Sequence, residues 1–198
     1  MAYFQEINER IVWLVDTHSD LLSTQYLATT HEGRDIEAVV VREPGPPTKP
    51  VIWIDCGIHA REWVSPPTCL HAIQRLVEAA NSVEPRENLL AAFDFYILPV
   101  ANPDGYEYSW TTNRMWRKNR RPHTSGQSPF GRKCFGVDPN RNFPVDFYGS
   151  GASMNPCDDV FHGNQPFSEP ESQAIRDAVN IINTKVSDSD VIYFEVQI

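Results

Sequence analysis

The sequence predicts an α/β fold with a mixed, mostly parallel twisted sheet and helices on both of its faces. Three short apolar runs rich in β-branched residues, typical of buried strands, occur at 51–56, 93–99 and 190–198. Stretches with apolar residues at three- and four-residue spacing, typical of helices, separate these runs. The 198 residues are 41% apolar and 22% charged, a composition that favours a folded domain over disorder.

The N-terminal part of the chain is expected to supply one helix and one hairpin. Apolar residues from Ile7 to Val15 recur at helical spacing and predict a helix over 5–22. Two strands, at 26–30 and 36–42, then flank a short glycine-containing turn. The hairpin should form an antiparallel edge of the sheet.

Two buried strands and a helix follow in the middle of the chain. The strand at 51–56 leads through a short polar turn into a helix, which we expect Ser65 to cap with Pro66 at its first position. The next buried strand is expected at 93–99. A polar turn after a buried strand is where α/β sheets bind their ligands.

Regular patterns fade from Val100 to about Gln165, where Asn, Pro, Gly, Ser and aromatic residues dominate. So long an irregular stretch in a compact domain is usually functional. A last helix is expected from about Ser168 to Lys185, and a last buried strand at 190–198.

Charge and hydropathy argue against two classes of partner. The net charge is −9, whereas a nucleic-acid-binding surface needs a basic patch. No apolar run is long enough to span a bilayer, and the first residues lack the basic stretch and apolar core of a signal peptide. We therefore expect neither a nucleic-acid partner nor a membrane span.

The four cysteines allow three disulfide pairings, and four unpaired thiols are equally compatible with the sequence. Pairing neighbours along the chain would close two short loops, Cys56–Cys69 and Cys134–Cys157. In the loop-entropy model, each such bridge could stabilise the fold by roughly 3 kcal/mol.

The most informative segment is the turn that follows the strand at 51–56. It places His59 and Glu62 three residues apart, so that both side chains can leave the same side of one turn. A neutral imidazole and a carboxylate are good ligands for Zn²⁺, and a catalytic zinc site usually has three protein ligands. An ordinary strand-to-helix turn would explain the same two residues without a metal.

Two further polar groups lie in the irregular stretch. One is a basic cluster that could be an ordinary solvated loop and comprises Arg114, Arg117, Lys118, Arg120 and Arg121. The other contains Asp138, Asn140 and Arg141, and an arginine beside an asparagine suits a carboxylate, with a guanidinium fork and an amide donor. A simple turn would also favour this composition.

Three motifs in this order carry a resemblance to a known family. GIHAREWVSP at 57–66, NRMWRK at 113–118 and DPNRNF at 138–143 resemble the zinc metallocarboxypeptidases of the pancreatic carboxypeptidase A/B type. The resemblance extends over essentially all 198 residues. It implies a hydrolase that releases the C-terminal amino acid from peptides by means of zinc-activated water.

The resemblance also implies roles for individual residues. His59 and Glu62 would bind one Zn²⁺, and Asp138 would orient His59 by accepting the hydrogen of its other ring nitrogen. Arg117 would polarise the scissile carbonyl and stabilise the oxyanion, and would thereby also contact the substrate. Asn140 and Arg141 would hold the C-terminal carboxylate of the substrate, and Arg61 would line the path of the peptide.

The resemblance also implies two disulfides. Cys134–Cys157 matches a pair that is common in the family, and Cys56–Cys69 matches an additional pair of carboxypeptidase B-like members. With them the resemblance implies a secreted, extracellular protein, and we expect a monomer that acts on peptide or protein C-termini.

Measured against the family, residues 1–198 correspond to an incomplete peptidase catalytic domain without propeptide or signal peptide, truncated at its C-terminal side. The third zinc ligand of the family is a histidine at the end of the strand that corresponds to 190–198, and the general base lies further downstream. A site with two ligands should bind zinc weakly, so we expect this chain alone to have little activity.

Two other functions remain possible on the sequence. The chain could be a truncated product without catalysis that binds peptide C-terminal carboxylates through Asn140 and Arg141. It could also be another zinc hydrolase with the same ligands, such as a deacylase of N-acyl amino acids, although the combination of Arg117, Asn140 and Arg141 favours a carboxypeptidase.

Overall fold

The structure, a computed structural model, describes residues 3–45, 49–82, 88–127, 131, 133–185 and 191–196. Its helices are α1 (Phe4–Thr17), α2 (Ser65–Ala80), α3 (Pro103–Thr111) and α4 (Pro170–Lys185), with 3₁₀ turns at Leu89–Ala91 and Pro139–Arg141. Its strands are β1 (Leu22–Thr29), β2 (Asp35–Val41), β3 (Val51–Cys56), β4 (Asp94–Leu98), β5 (Pro122–Gln127), β6 (Lys133–Phe135) and β7 (Val191–Val196).

Five strands form the main sheet in the order β1-β2-β4-β3-β7, and β5 pairs with β6 in a separate ribbon. The β1–β2 hairpin and its contact with β4 are antiparallel, whereas β3 runs parallel to both β4 and β7. The predicted mixed sheet is therefore confirmed. Among the described pairs of the main sheet, two are parallel and two antiparallel, because the hairpin contributes both antiparallel contacts.

Helices cover both faces of this sheet, as predicted. One core joins α1 and α2 to residues such as Val39 and Ile97, and the other joins α4 to Trp53 and Leu98. Ile97 and Leu98 are neighbours on β4 and enter opposite cores, because side chains alternate along a strand. Because β3 and β4 run parallel, their carboxyl ends lie at the same edge of the sheet.

The elements differ from the predictions at a few places. Helix α1 ends at Thr17 rather than at 22, because the carbonyl of His18 accepts the N–H of Leu22 and turns the chain into β1. Of the strand predicted at 190–198, residues 191–196 form β7, and the other three lie outside the described residues.

The stretch predicted to be irregular contains helix α3 and the β5–β6 ribbon. Both disulfides are present: Cys56–Cys69 joins the end of β3 to α2, and Cys134–Cys157 joins β6 to a loop. No helix among the described residues is long and apolar enough to cross a membrane.

Candidate metal and substrate site

The candidate site is built on the turn between β3 and α2. Gly57 opens the turn with a φ of 68°, in the left-handed region that favours glycine. A Cβ at this position would also lie 3.0 Å from Pro66. The hydroxyl of Ser65 accepts the N–H of Gly57 at 2.9 Å, so the predicted cap of α2 is wrong and Ser65 closes the turn instead.

His59 and Glu62 face each other across this turn. Nδ1 of His59 lies 2.9 Å from Oε1 of Glu62, and the imidazole is 1% exposed. The sequence therefore brings the two predicted ligands together, as the spacing of three suggested. Their donor atoms converge on one point at the surface of the sheet edge.

The donor set fits a zinc ion. Oε2 of Glu62 is buried and has no hydrogen-bond partner among the described residues, so it remains a potential metal ligand. Within the same described residues, no group of three or more His, Cys, Asp and Glu side chains is placed to hold a metal. A typical catalytic zinc site has three protein ligands, and these two residues have the donor types found in such sites.

Asp138 lies behind the imidazole and is fully buried. Its Oδ1 lies 3.1 Å from Nε2 of His59 and accepts the backbone N–H of Asn140 at 3.0 Å. Its Oδ2 accepts two donors of Arg117, from Nε at 2.9 Å and from Nη2 at 2.8 Å. This arrangement fixes the imidazole from the side opposite to Glu62.

The electrostatics of this group follow from burial and pairing. Burial alone would raise the pKa of Asp138, but the hydrogen bond to His59 and the positive charge of Arg117 lower it overall. Burial would likewise lower the pKa of His59, whereas its hydrogen bonds to Asp138 and Glu62 raise it overall. Asp138 is therefore held as a carboxylate that can orient the ring.

Two of the three arginines expected to contact substrate, Arg61 and Arg117, are also at this edge. The carbonyl of Arg117 accepts the N–H of Ala60, so the backbone of Arg117 borders the turn. Nη1 of its guanidinium has no hydrogen-bond partner among the described residues. Arg61 donates to Oδ2 of Asp159 at 3.1 Å and is partly exposed. Arg117 is linked to His59 through Asp138, which contacts both.

Asn140 and Arg141 lie on the 3₁₀ turn that follows Asp138. The guanidinium of Arg141 donates to the carbonyls of Gly151 and Asn140, at 2.9 and 3.2 Å. Asn140 lines an adjoining cavity of about 500 Å³, whose apolar wall includes Phe143. The predicted carboxylate clamp and the predicted metal ligands are thus linked by Asp138.

The basic cluster does not form one continuous surface. Lys118 is buried, and burial lowers the pKa of its ammonium group to about 8. The other cations have separate contacts: Arg114 lies over Trp63, Arg120 over Tyr108, and Arg121 pairs with Glu169.

A comparison with known protein families decides the assignment. The family model described as zinc carboxypeptidase matches residues 7–195.

This chain belongs to the zinc carboxypeptidase family. Carboxypeptidase O from Homo sapiens is 39% identical over 170 residues, which are 86% of this chain and 44% of that protein. Carboxypeptidase B from Homo sapiens is 43% identical over 159 residues, 80% of this chain and 36% of that protein. The chain thus spans less than half the length of these curated relatives.

Solved structures of family members have the same fold. Bovine thrombin-activatable fibrinolysis inhibitor, in complex with tick carboxypeptidase inhibitor, matches 98% of this chain and 59% of its own, with a TM-score of 0.84 and 34% identity. Carboxypeptidase A from Helicoverpa armigera also gives a TM-score of 0.84, with 32% identity, over 98% of this chain and 45% of its own.

Sequence reasoning missed two residues that border this candidate site. Asn102 and Ser109, at the two ends of α3, donate to the carbonyls of Ile58 and Ala60 on either side of His59. Asn102 followed by Pro103 is a typical helix start, so the pattern was present in the sequence.

Proposed function

We propose that the protein is a zinc-dependent metallocarboxypeptidase that releases the C-terminal amino acid from peptides. The observation that carries this proposal is the convergence of Nδ1 of His59 and Oε1 of Glu62, 2.9 Å apart, in front of a buried Asp138. Membership of the zinc carboxypeptidase family supports it.

His59 and Glu62 would hold the zinc ion. Bound there, zinc would act as a Lewis acid that activates water and polarises a carbonyl oxygen. Asp138 would accept the hydrogen of Nε2 of His59, which would leave Nδ1, on the side of Glu62, as the nitrogen that binds the metal.

Arg117 would stabilise negative charge on the carbonyl oxygen of the substrate. Two of its donors are fixed on Asp138, which holds the guanidinium in one orientation, and Nη1 remains as a donor. A preoriented donor needs no reorganisation when charge develops, which is the main source of electrostatic catalysis.

Asn140 and Arg141 would bind the terminal carboxylate, with Arg61 along the path of the peptide. A guanidinium and an amide together suit a carboxylate, which would restrict cleavage to the last residue of a peptide. The adjoining cavity beside Asn140 has room for an apolar side chain. The two disulfides support a secreted protein, and we propose that it is a monomer.

The test uses a peptide with a free C-terminus and the same peptide with a C-terminal amide. The zinc-loaded protein, purified from its natural source, should release one residue from the first and none from the second, as followed by mass spectrometry. Removal of zinc by a chelator should stop the release. Internal cleavage, or no release from either peptide, would contradict the proposal.

The chain of 198 residues is the second arm of this test. We propose that it binds zinc and the free carboxylate but releases the terminal residue slowly, because a water on a two-ligand site lacks a positioned base. Robust release by the isolated chain would show that these residues suffice for catalysis. An Arg141→Ala variant should lose binding of the free-carboxylate peptide, measured by calorimetry.

A further inference from the structure

The turn that carries His59 and Glu62 makes many backbone contacts with the segment around α3. The carbonyls of Cys56 and Gly57 accept the N–H groups of Ala101 and Asn102, at 2.8 and 3.1 Å. Further along the turn, the carbonyl of Arg61 accepts a donor of Arg114 at 2.8 Å. The turn is therefore shaped by α3 and its flanks as well as by its own sequence.

Asn102 is the residue with the most direct contact to this turn. Its side chain is fully buried, and its Nδ2 donates to the carbonyl of Ile58, the residue before His59, at 3.1 Å. Its Oδ1 accepts the N–H of Gly105 at 2.9 Å and so caps α3. One amide thus joins the start of the helix to the backbone beside a candidate zinc ligand.

Gly105 allows this close packing. A Cβ on Gly105 would lie 2.6 Å from Nδ2 of Asn102 and 2.4 Å from the carbonyl oxygen of Lys118. The first turn of α3 is therefore pressed against both Asn102 and the segment that follows Arg117. This packing leaves little room for the amide of Asn102 to take another position.

Ser109 holds the carbonyl on the other side of His59. Its hydroxyl accepts the indole N–H of Trp63 at 2.8 Å, and its own hydrogen lies within reach of the carbonyls of Ala60, at 3.0 Å, and Tyr106, at 2.7 Å. The backbone groups that flank His59 are therefore both held by polar side chains of one helix and its cap.

We infer that Asn102 is a positioning residue for the zinc site, which sets the direction of the His59 imidazole through the carbonyl of Ile58. This inference rests on the proposed function. The side-chain hydrogen bonds of Asn102 go to the backbone of Ile58 and Gly105, so it would act through the backbone of the turn. Groups that orient a metal ligand typically change metal affinity by about 10–100-fold when they are removed.

The test compares Asn102→Ser with a control that weakens α3 elsewhere. A serine keeps the cap of the helix but is too short to reach the carbonyl of Ile58. The control is Thr30→Val, which removes a buried hydrogen bond of 2.7 Å to Asp104 in α3 without a contact to the turn. Zinc binding is measured by titration of the ¹⁵N-labelled His59 ring, and stability by thermal unfolding.

We expect both variants to unfold at a lower temperature than the parent chain, but only Asn102→Ser to raise the Kd for zinc, by about tenfold. Equal zinc affinity of Asn102→Ser and parent would overturn the inference. So would an equal loss of affinity in both variants, since it would follow from stability alone.

The ring signals of the metal-free chain separate this inference from the proposed function. If the parent binds no zinc at His59, the proposed function fails. The ¹⁵N shifts of the metal-free His59 ring then decide the role of Asn102. Altered ¹⁵N shifts of the His59 ring in Asn102→Ser, with unaltered shifts in Thr30→Val, would support a positioning role for Asn102. Unaltered shifts in Asn102→Ser would overturn that role.

Discussion

At the scale of residues, His59 has a partner on each ring nitrogen, and these two contacts carry the assignment of the site. Glu62 faces Nδ1 and Asp138 faces Nε2. Of the two, only Glu62 has a buried oxygen without a hydrogen-bond partner among the described residues, whereas both oxygens of Asp138 are satisfied. The geometry therefore separates a candidate ligand from an orienting group.

His59→Ala and Glu62→Ala should each lower zinc affinity at least tenfold, because each removes one of two ligands. The measurement is equilibrium dialysis of the chain against zinc. His71→Ala is the matched control, since His71 lies exposed on α2 and should leave zinc binding unchanged. Unaltered binding in both ligand variants would place the metal elsewhere.

A second buried group at this scale makes stability depend on pH. Asn119 donates to Oε2 of both Glu169 and Glu171, at 2.9 and 2.8 Å. His31 and Arg121 contact Glu169. Complete burial, together with the nearby charge of Glu169, raises the pKa of Glu171 to about 7. For Glu169 the hydrogen bonds it accepts outweigh the effect of burial and lower the pKa of Glu169 to about 2.

The sign of the Glu171 effect follows from proton binding. The folded chain binds this proton more tightly than the unfolded chain, so Glu171 reduces stability as the pH rises from about 4.5 towards 7. Glu171→Gln should therefore raise the free energy of unfolding at pH 8, relative to that at pH 5, by about 2–3 kcal/mol compared with the parent chain. Urea unfolding at both pH values measures this.

Glu78→Gln on the exposed face of α2 serves as the control for that measurement, since its side chain is 60% exposed. The interpretation would be wrong if Glu171→Gln and Glu78→Gln changed the pH dependence equally.

Glu169 has the opposite effect on the pH dependence of stability. Its lowered pKa adds stability that is lost as the pH falls below about 4.5 towards 2.

At the scale of elements, strand β7 is an exposed strand of the main sheet. Among the described strands it pairs with β3 alone, and its apolar residues Ile192, Tyr193 and Phe194 are 41%, 45% and 52% exposed. An exposed apolar edge is a template for pairing with another chain.

We therefore expect the isolated chain to associate at high concentration, and Phe194→Lys to reduce this association severalfold, because a charge on an edge strand opposes pairing. Light scattering over a concentration series measures it. Val12→Lys on the exposed side of α1 is the control and should have little effect. A parent chain that stays monodisperse throughout would contradict the prediction.

The elements also show which parts of the fold a sequence can predict. Strands β3 and β4 were predicted to within one residue at each end, because continuous apolar runs mark strands buried on both faces. The end of α1 was missed, since Leu21 and Leu22 continue the apolar pattern past the turn and are themselves buried. Periodicity does not distinguish a core residue in a helix from one in the following turn.

Helix α3 was missed for a related reason. Several of its buried positions are polar or small, among them Asp104, Gly105 and Ser109, so it lacks an apolar stripe. Asp104 bonds the β1–β2 hairpin and Ser109 bonds the turn that carries His59 and Glu62, and both partners are distant in sequence. Contacts of this kind depend on tertiary packing and leave no periodic pattern.

At the scale of the whole molecule, the site combines one local unit with partners from distant segments. His59 and Glu62 share a turn, so their meeting could be predicted from spacing. Asp138 bonds both Arg117 and His59, which lie 21 and 79 residues away from it along the chain. Those roles could be inferred from resemblance to a family, and not from the residues alone.

The central claim is that His59 and Glu62 hold the zinc ion of a carboxypeptidase-type site. The most direct measurement is anomalous diffraction at the zinc edge from crystals of the chain grown with zinc. We expect a peak about 2 Å from Nδ1 of His59 and from the carboxylate of Glu62. A structure with zinc bound at other residues, or with His59 bonded to Glu62 and no zinc between them at saturating metal, would contradict it.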